Sequence, residues 1–295
     1  MSKFTPAQRK DLAALLAPPA RYRELKPVLE AYMGKTVYRQ RHSFERALRE
    51  DGLLHHVNLR AQNGRTTNLY SSVPAANWNP YQVAQALAPT GYFCNLTSIF
   101  YHSLTNQVPA KIFVATEGNR AKDQPLGGRP ELTDDDIFQA FILPHRMTRH
   151  VVTFHDREIV ISERVARSEL GVGPVHADNR ICPKGSKVTC LERALIDAVV
   201  LPQYNGGIRA AIDAFRKAHP RVNRRLLLEL YDGMAYGYPY WQALGFLFDR
   251  LGAHSLARFI GQRYPLKHKF YLDHGAKTSW VFDEKWRIYY PKGVI

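Results

Sequence analysis

Apolar positions recur at helical spacing in the N-terminal quarter of the chain. The pattern predicts helices over residues 6–16 and 25–33, followed by a third helix in which Phe44, Ala47 and Leu48 fall at i, i+3 and i+4. These three residues form a single apolar stripe, so one face of the third helix is expected to pack against the others.

The opposite face of the third helix is basic. Arg39, His42, Arg46 and Arg49 fall at i, i+3, i+7 and i+10, on the side away from the apolar stripe. We therefore expect this face to meet the phosphates or base edges of duplex DNA. The side chains predicted to do so are Arg39, Arg41, His42, Ser43, Arg46 and Arg49.

A hairpin is predicted directly after this helix. Gly52 is placed to end the helix in a left-handed conformation, and residues 53–60 and 65–70 are predicted strands. The pair Asn63-Gly64 favours a type I′ turn between them. Arg60 and Arg65 flank the tip, where guanidinium groups can enter or clamp a minor groove. Three helices and a hairpin outline a winged helix-turn-helix; the alternative is a solvated basic helix beside an ordinary hairpin.

The remaining chain mixes strands and helices. Asn79-Pro80 predicts a helix to about residue 88, and Asn95 is predicted to cap a helix that continues to about residue 104. A strand at 111–116, an exposed excursion at 118–136 and a hairpin at 151–154 and 158–162 follow. Thr189 and Glu192 have the spacing of a capping box, which would begin a helix that Pro202 ends. Further helices are predicted at 207–218, 223–234, 241–251 and 255–263, before a strand-like tail at 270–291.

These elements predict the α+β class with two domains. The first is the winged helix-turn-helix over residues 1–76. The second, over 77–295, is a larger mixed α/β domain, with strands and helices to about 188, mainly helices at 189–264 and a strand-like tail. The chain of 295 residues is long enough for two hydrophobic cores.

Basic residues are concentrated in the first domain and also in a region of the second. The formal net charge is +15 and the pI is about 9.8, which favours polyanionic partners. Residues 1–75 hold 13 Lys and Arg against 6 Asp and Glu, and residues 145–225 hold 15 against 8. A second basic surface could face nucleic acid or an acidic protein, or could simply be solvated. Its candidates are Arg193, Arg209, Arg216, Lys217, Arg221, Arg224 and Arg225.

Arg193 has a second interpretation. It precedes Asp197 by one helical turn, so the two side chains can form an ion pair that contributes only a few tenths of a kcal/mol if exposed. A structural role in a capped and cross-bonded helix is favoured over partner contact.

No motif for catalysis is present. The chain has no HExxH, Walker loop, GxSxG elbow or nucleotidyltransferase signature, so we expect no catalytic residues and no cofactor. The spacing of His145, His150 and His155 does not suit a metal site, and the cysteines contain no CxxC pair. The acidic residues of the tail, among them Asp273, Asp283 and Glu284, fit a metal-dependent nuclease poorly, because Glu284 and Lys285 are adjacent.

The expected compartment is the cytoplasm. Cys94, Cys182 and Cys190 do not form an even disulfide framework, which suits reduced thiols. The start of the chain has no basic and then apolar leader, and no apolar run is long enough for a bilayer. A soluble protein without membrane partners is therefore expected.

Two segments resemble a known family. Residues 188–197 read Val-Thr-Cys-Leu-Glu-Arg-Ala-Leu-Ile-Asp and precede Pro202 and Gly206-Gly207. They are similar to the Glu-Arg-x-Leu-Ile-Asp helix, proline and Gly-Gly turn of the AbiEi-like antitoxins of bacterial type IV toxin–antitoxin and abortive-infection systems. A second segment, from Gly91 through Ser98 and His102 to the strand at 112–116, is similar to the family's Ser-Ala-Leu-x-x-His-Gly-Leu stretch and the strand after it.

The resemblance covers most of residues 1–260, with departures. Ile99-Phe100 stand where Ala-Leu is usual, Ser103 replaces Gly, and Cys190-Leu191 replace Asp-Pro. The resemblance implies that the N-terminal domain represses its own operon at inverted repeats, which would suit a homodimer on double-stranded DNA. It also implies a C-terminal domain that counters a nucleotidyltransferase-like toxin, with or without direct contact. A DNA-processing nuclease and a toxin-masking interaction protein remain as alternatives.

Overall fold

The computed structural model describes residues 3–118, 131–176, 181–275 and 279–295. Part of the predicted exposed excursion, residues 119–130, lies outside this range. The helices are α1 (Pro6–Leu15), α2 (Tyr22–Met33), α3 (Arg41–Glu50), α4 (Pro80–Leu87), α5 (Asn95–Tyr101), α6 (Asp134–Ile142), α7 (Leu191–Val200), α8 (Gly207–Ala218), α9 (Arg224–Met234), α10 (Tyr240–Arg250) and α11 (His254–Arg263). The strands are β1 (Ala20–Arg21), β2 (His55–Arg60), β3 (Thr66–Ser71), β4 (Tyr92–Phe93), β5 (Lys111–Glu117), β6 (Val151–Phe154), β7 (Arg157–Arg164), β8 (Val172–Pro174), β9 (Lys187–Thr189), β10 (Phe270–Tyr271), β11 (Trp280–Asp283) and β12 (Ile288–Pro291).

The fold belongs to the α+β class, which confirms that prediction. The chain divides into two compact units. The first consists of Met1–Gly91 with Thr148–Ile161, and the second of Tyr92–Met147 with Ser162–Ile295. The hairpin β6–β7 therefore belongs mainly to the first unit, although it follows residue 91 by more than fifty positions.

The first unit begins with helix, strand, helix, helix, strand and strand. Its helices share one core, which contains Leu12, Leu29, Phe44 and Leu48. The strands form an antiparallel sheet in the order β1-β3-β2. The end of α1 is joined to this sheet, because the hydroxyl of Ser71 donates to the carbonyl of Ala17 at 2.7 Å.

The first unit extends beyond the domain boundary predicted at residue 76. Arg21 of β1 donates its Nε to the carbonyl of Ala86 at 3.0 Å, so α4 is bonded to the N-terminal sheet. Trp78 is buried and stacks on Phe154 of β6 with their ring centroids 6.1 Å apart. As predicted, Asn79 caps α4 by accepting the amide of Tyr81 at 2.9 Å.

The second unit has a mainly helical core beside two small groups of strands. Helix α7 is central, since its residues from Leu191 to Val199 are all buried, and α8, α9 and α10 pack around it. Strands β5, β4, β9 and β8 pair in that order, with β4 and β9 parallel. Strands β10 and β11 flank β12. Within the described ranges, no helix combines the length and the apolar character that a membrane span requires.

Two predicted helix caps are wrong, because distant partners bind the side chains concerned. Helix α7 is capped at Cys190 with no side-chain bond. The hydroxyl of Thr189 donates to Ser98 at 2.7 Å instead, and Glu192 accepts the amide of Asn223 at 2.8 Å. Asn95 also does not cap α5. It is the first residue of the helix, and its Oδ1 accepts Nη2 of Arg164 at 2.9 Å.

A buried ion network joins α7 to the end of β7. The carboxylate of Asp197 accepts Nε of Arg193 at 3.0 Å on one oxygen and Nη1 of Arg164 at 2.8 Å on the other. The side chains of Arg193 and Asp197 are each only 1% exposed. Arg193 also donates to the carbonyl of Leu170 at 2.6 Å. One carboxylate therefore compensates two guanidinium groups removed from water.

This network holds Asp197 in its ionised form. Burial alone would raise the pKa of Asp197, but Arg164 and Arg193 outweigh burial and hold that pKa below its ordinary value. A buried ion pair contributes little net stability, whereas removing one partner costs a great deal, because the remaining charges stay buried without compensation.

We expect Asp197→Asn to lower the free energy of unfolding by about 3–5 kcal/mol, because it leaves two buried guanidinium groups facing a neutral amide. Urea denaturation at neutral pH measures the change. The matched control is Asp213→Asn on α8, whose side chain is 66% exposed and which should change the stability by less than about 0.5 kcal/mol. Equal stabilities of the two variants would contradict a structural role for the network.

The contribution of Asp197 should also depend on pH. The pKa of this carboxyl is lower in the folded than in the unfolded protein, so its stabilisation is fully present above the unfolded-state value of about 3.9. It is lost as the pH falls through the lower pKa of the folded state. The difference in stability between wild type and Asp197→Asn should therefore shrink in acid, and a difference that grows in acid would contradict the assignment.

Candidate nucleic-acid interface

Helix α3 presents its cationic side chains outward because its apolar stripe is buried. Phe44, Ala47 and Leu48 are each at most 1% exposed. Phe44 packs edge-on against Phe4, with the ring centroids 5.8 Å apart. On the opposite side of the helix, three exposed side chains follow at intervals of four and three residues, as the helical period requires; they belong to His42, Arg46 and Arg49.

The C-terminal end of α3 is fixed. At its C-terminal end Gly52 has φ +68°, its amide donates to Arg49, and the amide of Leu53 donates to Leu48 at 2.7 Å. This is the Schellman arrangement, so the predicted glycine stop is confirmed. Arg9 of α1 donates to the carboxylate of Asp51 at 2.9 Å. The helix is thus held by contacts that leave its outer face open.

Glu45 neutralises part of the basic face. Its carboxylate lies 3.4 Å from Nε of Arg41 and 3.8 Å from Nη2 of Arg49, and it accepts the hydroxyl of Tyr22 at 2.5 Å. Burial and this hydrogen bond raise the pKa of Tyr22 to about 12. Arg46 has no ion pair or side-chain hydrogen bond within the described part of the chain. Arg46 is therefore the α3 cation best placed to bind an external anion.

Three of the predicted residues on this face lie off the outward stripe. Arg39 precedes the helix, because Gln40 is its extended N-cap with φ −122° and ψ 128°, so Arg39 does not share the helical face as predicted. Arg41, the first helical residue, pairs with Glu30 as well as Glu45. Ser43 is half-buried at the edge of the face.

The hairpin after α3 is present, but its turn differs from the predicted type. Strands β2 and β3 pair from His55 with Ser71 to Arg60 with Thr66. The amide of Gly64 donates to the carbonyl of Ala61 at 2.9 Å, and Gly64 has φ +85° while Asn63 does not have a positive φ. A type I′ turn needs positive φ at both, so the predicted two-residue turn is wrong. The tip is a three-residue loop in which Gly64 supplies the left-handed residue.

Arg60 and Arg65 flank this tip as predicted. Both are exposed, and neither side chain has an ion pair or hydrogen bond among the residues that the structure describes. Arg60 shares the exposed face of the hairpin with Asn58, which donates to Asn68 at 2.8 Å. The opposite face carries Leu59 and Leu69, which are buried. The hairpin therefore has one packed face and one face available for a partner.

The second predicted basic surface is largely exposed, and several of its members have local partners. Arg216 pairs with Asp213 on the same helix, and Lys217 donates to Asn106 at 3.1 Å. Arg221 donates to the carbonyl of His102 at 3.0 Å, and Arg224 lies over the ring of Phe259 at 5.1 Å. Two exposed members have no side-chain partner within the described ranges, namely Arg209 and Arg225.

Arg193 is not part of that surface. Its guanidinium is bonded to Asp197 and Leu170 inside the second unit, so its interpretation as a partner-contact residue is wrong, and the cross-bonded helix interpretation agrees with the structure. A sequence signal for this burial existed. Helix α7 is apolar around almost its whole circumference, and such a helix is typically buried on all sides.

The residues weighed for metal-dependent chemistry have structural contacts. Asp283 is buried, accepts the amide of Trp286 at 2.8 Å and pairs with Arg250 at 2.5 Å. Oδ1 of Asp273 accepts a hydrogen bond from Nε2 of His145 at 2.8 Å. Among residues 3–118, 131–176, 181–275 and 279–295, no three His, Cys, Asp or Glu side chains are grouped as a metal site requires.

Comparison with known proteins identifies a similar fold. No protein-family model matches the chain, and no curated protein matches it. Among solved structures, the chain is similar to the crystal structure of the RV2827C protein from Mycobacterium tuberculosis, with a TM-score of 0.53 and 14% sequence identity. The match covers 97% of this chain and 92% of the other. At this identity the similarity shows that the two proteins share a fold, and it carries no statement about activity.

Proposed function

We propose that this protein is an antitoxin that binds its own promoter through an N-terminal winged helix-turn-helix and thereby represses its operon. Helices α2 and α3 form the helix-turn-helix, with α3 as the recognition helix in the major groove. The hairpin β2–β3 is the wing. The second unit neutralises a nucleotidyltransferase-like toxin.

The proposed DNA binding rests on one observation, the outward stripe of α3 together with the exposed wing tip. His42, Arg46 and Arg49 are held on a helix whose other face is buried, and Arg60 and Arg65 are held at the ends of a paired hairpin. Cationic side chains on rigid elements suit a duplex, because the phosphates attract them and the groove constrains where they can lie. The formal net charge of +15 for the whole sequence also favours a polyanionic partner.

The toxin-neutralising half rests on the resemblance of residues 188–197 to the AbiEi-like helix. In this protein that segment runs from the end of β9 into α7, and its Arg193 and Asp197 bond to each other in the interior, so neither side chain of this ion pair is available to a partner. Contact with a toxin would therefore use exposed residues around α7, such as Arg209 and Arg225. The residues of the motif would then act by keeping the second unit folded, so that the exposed residues are held in position.

Removing the outward arginines of α3 should weaken DNA binding. We expect Arg46→Ala and Arg49→Ala each to cost about 1–3 kcal/mol if the arginine is bidentate to a base, or roughly fivefold to more than a hundredfold in affinity. Fluorescence anisotropy with a labelled duplex from the promoter of the gene, at fixed salt, measures the change.

The matched control for this experiment is Arg258→Ala, which removes an exposed arginine from α11 of the second unit. It should leave the affinity unchanged. Because Arg46 has no ion pair or side-chain hydrogen bond within the described chain, its removal should also leave the unfolding temperature nearly unchanged. Wild-type affinity of the Arg46→Ala, Arg49→Ala double variant would contradict the assignment of α3 as the recognition helix.

Repression and neutralisation should be separable. In cells that express a nucleotidyltransferase-like gene adjacent to this one, the Arg46→Ala, Arg49→Ala variant should still restore growth but should fail to repress a reporter driven by the promoter. The reason is that the two activities use different compact units. Loss of both activities in a folded variant would instead favour one basic surface that masks the toxin.

A further inference from the structure

A segment that is distant in the sequence, residues 148–154, lies beside the outer strand of the wing. Ala61, next to the end of β2, forms an antiparallel bridge with Val152 of β6. The amide of Gln62 in the wing loop donates to the carbonyl of Val151 at 2.9 Å. Both contacts lie within the first unit. The wing is therefore not an isolated hairpin, because β6 lies beside the end of β2.

The bond between Gln62 and Val151 places Arg149 close to the wing loop. Arg149 lies only two residues before Val151, whose carbonyl accepts the amide of Gln62. Electrostatics agree: burial lowers the pKa of His150, and the charges of Arg65 and Arg21 lower it further, so His150 lies within electrostatic reach of the wing.

The segment that carries Arg149 is held in place by its own bonds. The amide of His150 donates to the hydroxyl of Thr148 at 3.1 Å, and the amide of Ile161 donates to the carbonyl of His150 at 2.9 Å. Beyond it, Val152 and Phe154 are buried, and Phe154 stacks on Trp78. The backbone next to Arg149 is therefore held in place by hydrogen bonds.

The side chain of Arg149 is available to a partner. It is exposed and has no ion pair or hydrogen bond within the part of the chain that the structure describes. The acidic residues of the same hairpin, Asp156 and Glu158, lie at or beyond its other end, after Phe154. Arg149 and Arg65 are thus two exposed cations near the wing loop, one on each of the two segments that the bond between Gln62 and Val151 joins.

We propose that residues 148–154 form a second lobe of the wing and that Arg149 binds a backbone phosphate of the duplex that Arg65 contacts. This inference rests on the proposed DNA-binding function and enlarges its interface beyond the N-terminal 76 residues. The contact is with phosphate and not with a base, so it adds affinity for every DNA sequence alike. Its role is to hold the wing against the backbone while α3 reads the groove.

The test is the salt dependence of DNA binding by the full chain. Binding to a promoter duplex and to a random-sequence duplex is measured over a series of salt concentrations for wild type, Arg149→Ala, Arg149→Lys and the control Arg258→Ala. Loss of one phosphate contact should reduce the slope of log affinity against log salt by about 0.9, and should weaken binding about five- to tenfold at low salt. Both duplexes should be affected equally, and Arg149→Lys and Arg258→Ala should behave as wild type.

The outcomes separate this inference from the proposed function. If wild type binds with a steep salt dependence but Arg149→Ala has the same slope and affinity, the second lobe is wrong and DNA binding stands. If wild type shows no salt-dependent binding to either duplex, the proposed function fails and this inference fails with it. A lower unfolding temperature of Arg149→Ala would also overturn the assignment, since it would show that the side chain acts within the fold.

Discussion

The burial of one face of α3 is the constraint on which the candidate interface depends. Phe44 and Leu48 are fully buried, and each such side chain contributes about 1.5–3 kcal/mol when it leaves water. A helix has only one rotation about its axis that buries both together with Ala47. That rotation turns His42, Arg46 and Arg49 away from the core. The position of the cations is thus a consequence of apolar packing, and the arginines need no contacts within the protein to hold them outward.

In the second unit, three charged residues are paired with one another in the interior instead of facing outward. Asp197 binds Arg193 and Arg164 in the interior, where the ion network joins α7 to β7 and, through Asn95, to α5. Such a network favours one arrangement of these elements, because any other would leave a buried charge unpaired. Arg193 and Asp197 therefore determine how α7 is held within this unit, and neither side chain is exposed at its surface.

The features predicted correctly from the sequence depend on neighbours along the chain. The face of α3, the Gly52 stop and the Asn79 cap each follow from residues within one or two helical turns. Several of the features predicted wrongly depend on partners far away, whereas the turn at Asn63-Gly64 and the position of Arg39 are local errors. Thr189 bonds to Ser98, Asn95 bonds to Arg164, and residues 148–161 join a unit formed mainly by the first 91 residues. Local spacing carries no information about which of several polar partners a side chain will meet after folding.

Arginine footprinting of the full chain shows whether the exposed face of α3 binds DNA. Exposed arginines are modified with a dicarbonyl reagent in the absence and presence of saturating promoter duplex, and the modified positions are mapped by mass spectrometry. We expect protection at Arg46 and Arg49 of α3 and at Arg60 and Arg65 of the β2–β3 hairpin, with Arg258 modified equally in both conditions. Protection restricted to the second unit, or no protection at any arginine of the first, would contradict DNA binding by α3.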